Sequence, residues 1–462
     1  MVQGMSRLDN SGVVCEYRGR MDDERTIVAV ATPMGVGALA IVRLSGPRAR
    51  EVARAVCPGW EPEARRATLV RVRDEKGRVV DECVGTWYAG PASFTGEDVV
   101  ELSCHGGPLV VQKVMERMLE CGAVPAEPGE FSRRAFENGR MDLTQAEAVM
   151  DIISAGSELA LRAAQNQLQG AIWRPVQEAI DRMLDVAAHV EAYIDFPEED
   201  IDTHSAGKLD AQLAEVERQL GQLLSTAEQG RYLREGVRTA IVGAPNAGKS
   251  SLLNCLVGYE RAIVSPIAGT TRDTVDAGVT LAGLRLCLVD TAGLHESADE
   301  VEQSGMERTM RAWREADLVL QVVDASCAPM ALPTVETGVP HLLLLNKSDL
   351  PEHAAWAEAQ GIRISCVSKQ GFDELERAIA SLFLQGGGEQ DTLAAINTRH
   401  RYALQQALAA LAAARSGLQA AAAPELLSIE LRSVLDALGS ITGRVDTEDI
   451  LTRVFSTFCL GK

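Results

Sequence analysis

Hydrophobic residues recur along this chain with two different spacings, and the changes of spacing mark four segments. Residues 25–140 carry short apolar or alternating runs that are typical of strands, and the stretch 47–56 predicts a short helix. The strands are expected near 26–32, 39–44, 67–72, 84–89 and 98–103. This mixture of elements predicts a compact α+β domain.

Residues 141–235 are predicted to form helices. Ala, Gln, Leu and Glu dominate from 144 to 190, and the stretch 195–200 then interrupts the pattern. A second apolar stripe steps by four and three residues through Leu209, Leu213, Val216, Leu220 and Leu223. This stripe predicts a helix that packs against neighbouring helices, and Gly230 is expected to end that helix.

Residues 236–386 return to buried strands, and Gly386, Gly387 and Gly388 close the segment as a hinge or linker. The strands are predicted at 237–242, 286–289 and 342–345. Residues 387–462 are helical again, with an apolar stripe through Leu426, Ile429, Val434, Leu435 and Leu438. We therefore expect one helical domain assembled from 141–235 and 387–462, with the α/β domain inserted into it and the ends of the insert close together.

The first strand of the insert runs into a phosphate-loop motif. Residues 243–250 read G-A-P-N-A-G-K-S, which fits G-x-x-x-x-G-K-[ST], and a helix start follows. The glycines let backbone N–H groups turn toward phosphate oxygens, and the helix N-terminus adds partial positive charge. Lys249 is expected to reach the β- and γ-phosphates, and Ser250 is expected to bind Mg²⁺.

Two further motifs predict the contacts to the γ-phosphate and its metal ion. The strand at 286–289 ends in D-T-A-G, where Asp290 is expected to hold Mg²⁺ through water and the Gly293 N–H to sense the γ-phosphate. Between the phosphate loop and this motif, residues 265–271 form a candidate switch loop, and Thr271 is the candidate second Mg²⁺ ligand.

The base specificity is predicted by N-K-x-D at residues 346–349. The Asp349 carboxylate is expected to accept hydrogen bonds from N1 and N2 of guanine, and adenine lacks that pair of donors. The loop 365–367 is expected to make the last base contact, although it departs from the usual S-A-K. The predicted GTP-binding residues are Asn246, Ala247, Gly248, Lys249, Ser250, Ser251, Ser265, Pro266, Ile267, Ala268, Gly269, Thr270, Thr271, Asp290, Thr291, Ala292, Gly293, Asn346, Lys347, Ser348, Asp349, Ser365, Cys366 and Val367.

The residue after D-T-A-G is Leu294, whereas Ras-like switches place a water-orienting Gln there. Another residue must therefore orient the water. The acidic side chains that follow are Glu296, Asp299, Glu300 and Glu302. The phosphate loop also carries Asn246, whose carbonyl oxygen can ligate a monovalent cation and so neutralise charge in place of an arginine. Arg272 is the alternative, acting as an arginine finger.

Composition narrows the class of protein. The net charge of -20 argues against non-specific coating of nucleic acid, although a local basic patch stays possible. Ten cysteines occur without a C-x-x-C or Cys/His cluster, so we expect neither a disulfide framework nor a zinc site. No 18-residue apolar run occurs, and residues 1–24 lack the apolar core of a secretory signal. We expect a cytoplasmic protein that does not enter the membrane.

Four motifs outside the nucleotide segment resemble those of the MnmE (TrmE) family of tRNA-modification GTPases. They are S-F-T-G-E-D at 93–98 with H-G-G-P at 105–108, P-G-E-F-S at 128–132, D-F-P at 195–197, and F-C-L-G-K at 458–462. The last matches the family's C-terminal Cys-x-Gly-Lys. The resemblance covers nearly the whole chain, from about residue 26 to residue 462.

The resemblance implies a multidomain fold: an α+β folate-binding N-terminal domain at 25–140 that forms a homodimer, a helical domain, and an inserted Ras-like P-loop G domain. It implies a GTPase that is stimulated by potassium and by pairing of G domains. It further implies that, with an FAD-dependent partner of the MnmG (GidA) type, the protein modifies carbon 5 of the wobble uridine of tRNA. A tetrahydrofolate derivative would supply one carbon.

The resemblance also assigns residues. It implies K⁺ ligands at Asn246, Ser265, Ile267 and Thr270, Mg²⁺ ligands at Ser250 and Thr271, and Glu302 as the carboxylate that orients the attacking water. The implied folate contacts are Arg43, Glu101, Arg140 and Lys462. Cys459 matches a cysteine needed for tRNA modification, its alternative being a buried thiol at a helix end. Glu101 also stands out in its predicted strand, where it is either an inward carboxylate that needs a partner or a surface charge.

Two other functions fit parts of the chain. One is a regulatory or ribosome-assembly GTPase whose flanking domains only bind partners, and Cys459 together with Arg43 and Glu101 argues against it. The other is a folate-dependent one-carbon transferase with a vestigial G domain. The chemically complete nucleotide motifs argue against that second function.

Overall fold

The computed structural model describes residues 25–195, 203–258, 278–289, 315–329, 338–384, 395–444, 451, 454–459 and 461. The chain divides into two compact units. The first comprises Met1–Glu147 with Gly439–Lys462, and the second comprises Ala148–Leu438.

A six-stranded sheet forms the centre of the first unit. Its strands are β1 (Ile27–Val30), β2 (Leu39–Ser45), β3 (Thr68–Arg73), β4 (Val79–Tyr88), β5 (Val99–His105) and β6 (Val124–Pro125). They lie in the order β3-β4-β5-β2-β1-β6, and every neighbouring pair is antiparallel except β1 with β6. The predicted strands are thus confirmed, although β4 begins earlier than the sequence pattern suggested.

Helices cover one face of this sheet because each central strand turns every second residue toward them. The helices are α1 (Ala49–Val56) and α2 (Pro108–Glu120), and α3 (Glu130–Glu137) follows β6. Val100, Leu102 and Cys104 of β5 are buried in the same core cluster as Val52 and Met118 of the helices. The alternate residue Glu101 therefore lies on the opposite face, where the strand register pairs it with Arg43 of β2.

Nine further helices are described from residue 143 onward. They are α4 (Leu143–Ser154), α5 (Glu158–Leu168), α6 (Trp173–Asp195), α7 (Thr203–Ser225), α8 (Ala227–Glu235), α9 (Lys249–Val257), α10 (Phe372–Phe383), α11 (Thr398–Gln419) and α12 (Pro424–Thr442). None of the helices in these described ranges is long and apolar enough to cross a membrane.

The two helical blocks pack together through α7 and α11. Leu209, Leu213, Val216 and Leu220 of the predicted stripe are buried, and the Arg415 guanidinium of α11 binds Asp210 and Glu217 of α7. One helical layer is therefore assembled from segments on both sides of the α/β insert.

Two details of the helical prediction are wrong. Gly230 does not end a helix, because α7 already ends at Ser225 and Gly230 is buried inside α8. The stop falls at Gly236, whose φ of +85° suits a residue without a side chain. In α12, Val434 and Leu438 of the predicted stripe are buried, but Leu426 and Ile429 are exposed, and the buried stripe begins instead with Leu427 and Leu431.

The insert is a six-stranded, mostly parallel sheet. Its strands are β7 (Val237–Val242), β8 (Gly278–Leu281), β9 (Leu284–Val289), β10 (Leu318–Asp324), β11 (His341–Asn346) and β12 (Ile362–Arg363). They lie in the order β12-β11-β10-β7-β9-β8, and only the edge strand β8 is antiparallel. The order reverses beside β7, which is where open α/β sheets bind ligands at the carboxyl ends of their strands.

The ends of the insert lie side by side. One small cavity is lined both by Arg234 and Glu235, before β7, and by Ile396 and Asn397, at the return into the helices. Tyr232 of α8 packs edge-on against Phe383 of α10, with ring centroids 4.8 Å apart. This geometry is what insertion of one domain into another requires.

Candidate functional site

The phosphate loop joins β7 to α9 and depends on two glycines. Gly243 has φ +156° and Gly248 has φ +100°. A Cβ at Gly243 would overlap the carbonyl of Val322 in β10, and one at Gly248 would overlap the side-chain amide of Asn346. Only glycine permits both the conformation and the close approach. The loop is therefore wrapped tightly at the start of α9, with Lys249 as the first helical residue.

Lys249 is held inside this loop. Its Nζ donates hydrogen bonds to the carbonyl oxygens of Gly243 and Ala244, each at 2.9 Å. Burial lowers the pKa of Lys249, because the charged ammonium loses hydration there. A phosphate anion would restore favourable interactions for that charge, so the loop is built to receive one.

The neighbouring side chains of the loop face outward. Asn246, Ser250 and Ser251 are exposed, whereas Ala247 is buried. Asn246 has a left-handed backbone with φ +63°, which Asn tolerates better than most residues. Ser250 and Asn246, the described candidates for binding Mg²⁺ and K⁺ respectively, are thus exposed on the surface of the loop.

Asn346 ties the base-reading motif to the phosphate loop. Its side chain is 2% exposed, and its Nδ2 donates to the carbonyl of Ala247 at 2.9 Å. Lys347 contacts Asp324, with Nζ and Oδ2 2.5 Å apart. Burial alone raises the pKa of Asp324, but hydrogen bonds from Lys347 and Ser326 outweigh it and hold that pKa at about 2.

Asp349 is exposed and is oriented by Ser365. The Ser365 hydroxyl donates to Asp349 Oδ1 at 2.5 Å, and it accepts hydrogen bonds from the backbone N–H groups of Val367 and Ser368. The sequence assigned Ser365 to the last base-contacting loop without this role. One hydroxyl therefore fixes both the carboxylate that is predicted to read guanine and the loop that would close over the base.

The unusual Cys366 points inward. Its Sγ lies 3.5 Å from Asn346 Oδ1, and Cys255 of α9 directs its own thiol to the Cys366 carbonyl at 3.1 Å. Burial raises the pKa of the Cys366 thiol to about 12, and Cys255 adds to the shift. The departure from S-A-K thus fits an internal contact, whereas Val367 is 85% exposed. Sequence reasoning missed Cys255, since no motif marks it.

A second cluster lies on the face of the first unit's sheet that is turned away from α1 and α2. Arg43 Nε and Nη2 contact Glu101 Oε1 at 2.8 and 2.7 Å, and the Tyr88 hydroxyl donates to Glu101 Oε2 at 3.4 Å. The Glu101 side chain is 20% exposed. Glu101 is therefore a partnered carboxylate and not a plain surface charge.

Arg43 also contacts a residue from the far end of the chain. Its Nη1 donates to the carbonyl of Gly461 at 3.2 Å, and its Cζ lies 5.7 Å from the ring centroid of Phe94 and 5.8 Å from that of Phe131. Both phenylalanines belong to motifs that the sequence analysis singled out, but neither was chosen as a site residue. Aromatic residues flanking a charged pair are a signal that sequence reasoning can use.

Arg140 and Cys459 differ in their surroundings. Arg140 is exposed beside Gly96, and its guanidinium makes no hydrogen bond within the described part of the chain. Cys459 is exposed. The alternative from the sequence analysis, a buried thiol at a helix end, is therefore wrong. Its backbone carbonyl accepts a hydrogen bond from the Gly129 N–H at 3.5 Å.

Several predicted site residues lie outside the described residues. They are the switch loop 265–271 with Arg272, the motif 290–293 with Leu294, the acidic candidates Glu296, Asp299, Glu300 and Glu302, and Lys462. In the ranges that are described, no group of three or more His, Cys, Asp or Glu side chains is arranged to hold a metal ion.

Comparisons with known proteins cover both units. The family model of the GTP-binding protein TrmE N-terminus matches residues 26–140, and that of the MnmE helical domain matches residues 143–459. A structure of the FeoB G-domain from Methanococcus jannaschii is 24% identical, covering 32% of this chain and 98% of that one with a TM-score of 0.24.

Relatives named tRNA modification GTPase MnmE align along almost their entire length. The protein from Akkermansia muciniphila is 53% identical over 447 residues, which are 96% of this chain and 100% of the relative. That from Opitutus terrae is 45% identical over 95% of this chain and 99% of its own. That from Acinetobacter baumannii is 42% identical over 96% and 99%. The chain therefore belongs to the MnmE (TrmE) family.

Proposed function

We propose that this GTPase of the MnmE family couples GTP hydrolysis to modification of carbon 5 of the tRNA wobble uridine. An FAD-dependent partner of the MnmG type and a one-carbon unit from a tetrahydrofolate derivative take part. The nucleotide-binding part of this proposal rests on two hydrogen bonds, from Asn346 to Ala247 and from Ser365 to Asp349. Together they support one binding surface for phosphate and guanine. The relatives' names support tRNA as the substrate.

The domain assignment follows the sequence segments. Residues 25–140 form the N-terminal folate-binding and dimerisation domain, and residues 236–386 form the G domain. Residues 141–235 and 387–462 together form the helical domain. The packing of α7 on α11 supports the joining of the last two segments. We place the protein in the cytoplasm, as a homodimer that binds its flavoprotein partner.

In the hydrolytic step, few charged side chains of the protein are proposed to act on the phosphates. Lys249 neutralises charge on the β- and γ-phosphates, while Ser250 and Thr271 ligate Mg²⁺. The exposed Asn246 amide supports a K⁺ site completed by Ser265, Ile267 and Thr270, because K⁺ accepts neutral oxygen ligands. Bound there, K⁺ would supply positive charge beside the bridging oxygen, and Glu302 would orient the attacking water.

The N-terminal cluster has the chemistry that a folate needs. Among the described residues, Glu101 Oε2 accepts only a long hydrogen bond from Tyr88, so it can accept further bonds from the nitrogens of a pterin ring. Burial and the neighbouring Glu101 raise the pKa of the Tyr88 hydroxyl, which keeps it a donor. Arg140, whose guanidinium has no hydrogen-bond partner among the described residues, and Lys462 suit the anionic glutamate tail. Cys459 then acts in the modification of tRNA.

The overall proposal is tested by reconstitution. The chain is mixed with a flavoprotein of the MnmG type, GTP, a tetrahydrofolate donor and tRNA, and the wobble uridine is analysed by mass spectrometry. Modification that needs all of these components is expected, together with calorimetric heat for 5-formyltetrahydrofolate. Glu101→Gln is expected to weaken folate binding by about tenfold or more, because it loses a charged acceptor. Absence of heat with the wild type would refute the folate site.

The base assignment is tested at Asp349. Asp349→Asn replaces one acceptor oxygen with a donor, so binding of GTP should fall and binding of xanthosine triphosphate should rise, each by about a hundredfold. Equilibrium titration with fluorescent nucleotides measures both affinities. Ser326→Ala removes a hydroxyl that donates to Asp324 and not to Asp349, so this matched control should keep the preference for GTP. A variant that still prefers GTP would contradict the assignment.

The role of Glu302 is tested by single-turnover hydrolysis. Glu302→Ala should leave GTP affinity nearly unchanged and lower the rate constant by about a hundredfold or more, the usual scale for a group that positions water. Glu296→Ala, Asp299→Ala and Glu300→Ala serve as controls and should retain most of the rate. If one of them is inactive while Glu302→Ala is not, that residue takes the role.

Potassium dependence is tested at constant ionic strength. Replacing Na⁺ by K⁺ should raise GTP turnover by about tenfold or more, because the cation stabilises charge that develops in the transition state. Asn246→Ala should abolish the rise and Arg272→Ala should preserve it. Equal turnover in both salts, with loss of turnover in Arg272→Ala, would favour the arginine finger instead.

A further inference from the structure

The guanidinium of Arg43 is held on several sides by the protein itself. The register of β2 and β5 sets Arg43 directly opposite Glu101, and two of its nitrogens bind the same carboxylate oxygen. Its remaining terminal nitrogen reaches the carbonyl of Gly461, 418 positions away in the sequence. The fork of Arg43 therefore joins a strand residue to the tail segment, which we define as residues 454–459 and 461.

The tail segment is packed by aromatic side chains. Phe455 is 2% exposed and Phe458 is 6% exposed, and their ring centroids lie 5.2 Å apart. Phe136 of α3 lies 6.4 Å from Phe455, centroid to centroid. Cys459 follows this buried cluster directly, yet it is exposed. The buried phenylalanines hold the backbone before Cys459, and the contact with Arg43 holds it after Cys459. The thiol-bearing residue therefore lies between two anchored parts of the tail segment.

Two glycines permit this close approach. Gly129 has φ +70°, and a Cβ there would lie 2.5 Å from the carbonyl oxygen of Phe455. Gly461 has φ +86°, and a Cβ there would lie 2.5 Å from the carbonyl oxygen of Val30 in β1. Both contacts are with backbone atoms, which cannot move aside cheaply. The tail segment is thus fitted to the domain surface at two places where only glycine is tolerated.

We propose that Arg43 is a positioning residue that latches the tail segment to the sheet and thereby sets the position of the Cys459 thiol. The latch is an internal contact that needs neither nucleotide nor folate. Its importance for tRNA modification rests on the proposed function, since that is where Cys459 acts. A planar guanidinium can serve Glu101 and the Gly461 carbonyl together, and a lysine ammonium lacks this fork geometry.

The test measures amide hydrogen exchange of the whole chain by mass spectrometry, without folate, nucleotide or tRNA. Arg43→Gln should speed exchange in peptides of the tail segment by about tenfold or more, because a charge-assisted hydrogen bond is lost. Arg140→Gln is the matched control and should leave tail exchange unchanged, since Arg140 has no described bond to the tail. Unchanged tail exchange in Arg43→Gln would overturn the latch.

A second variant separates the latch from the pairing of Arg43 with Glu101. Gly461 lies outside every described strand and helix, so Gly461→Ala should leave exchange in β2 and β5 as in the wild type. Its tail exchange should still rise, because the added Cβ meets the carbonyl of Val30. Arg43→Lys should give an intermediate rise. Wild-type tail exchange in Gly461→Ala would contradict the proposed docking.

The link to Cys459 has its own measurement. In the reconstituted reaction with saturating folate, Gly461→Ala should lower kcat for tRNA modification by about tenfold, as expected for displaced geometry, whatever its effect on the folate Kd through the neighbouring Lys462. An unchanged kcat despite a loosened tail would refute the role in positioning Cys459. If the wild type binds no folate at all, the proposed function fails, and the exchange experiment still decides the latch.

Discussion

The nucleotide-binding half of this protein depends on one hydrogen bond, from Asn346 Nδ2 to the carbonyl of Ala247. It is made by a side chain that is almost fully buried, so its loss would leave an unpaired polar group inside the domain. The bond joins the end of β11 to the loop after β7, across the intervening β10. The predicted phosphate loop and the predicted base-reading motif are therefore held against each other by a direct contact. Gly248 is required for the same reason, because any side chain there would displace Asn346.

The insertion of the G domain imposes a second constraint, since the helical layer must close again after the insert. Arg231 binds Asp317 at 2.9 Å just before β10, and Arg234 binds Asp151 of α4 at 2.8 Å. The hairpin of β8 and β9 also contacts the helical part, where Thr280 donates to the carbonyl of Gly156 at 3.2 Å. This hairpin separates the candidate switch loop from the D-T-A-G motif.

The sequence predicted several strands correctly because buried strands are marked by continuous apolar runs, as at 237–242, where prediction and structure coincide, but it missed the strands at Gly278–Leu281 and Leu318–Asp324. It predicted the phosphate and guanine motifs because each needs particular residue types at fixed spacing. It failed where a choice depends on tertiary packing. Leu426 and Ile429 are apolar and helically spaced, yet they are exposed, whereas the neighbouring Leu427 and Leu431 are buried. The inward turn of Cys366 toward Asn346 was likewise invisible, since Cys255 lies 111 positions away.

The two sites share a way of bringing distant segments together. In each, a glycine with positive φ leaves room for a polar atom from a remote part of the chain: Asn346 at Gly248, and the Phe455 carbonyl at Gly129. A side chain at either position would collide with backbone or with a buried amide, which neighbouring packing holds in place. Local propensity alone would make these glycines unfavourable, because they add conformational entropy to the unfolded chain. Their presence is explained by the long-range contacts, and those contacts are what assemble each candidate site from segments far apart in sequence.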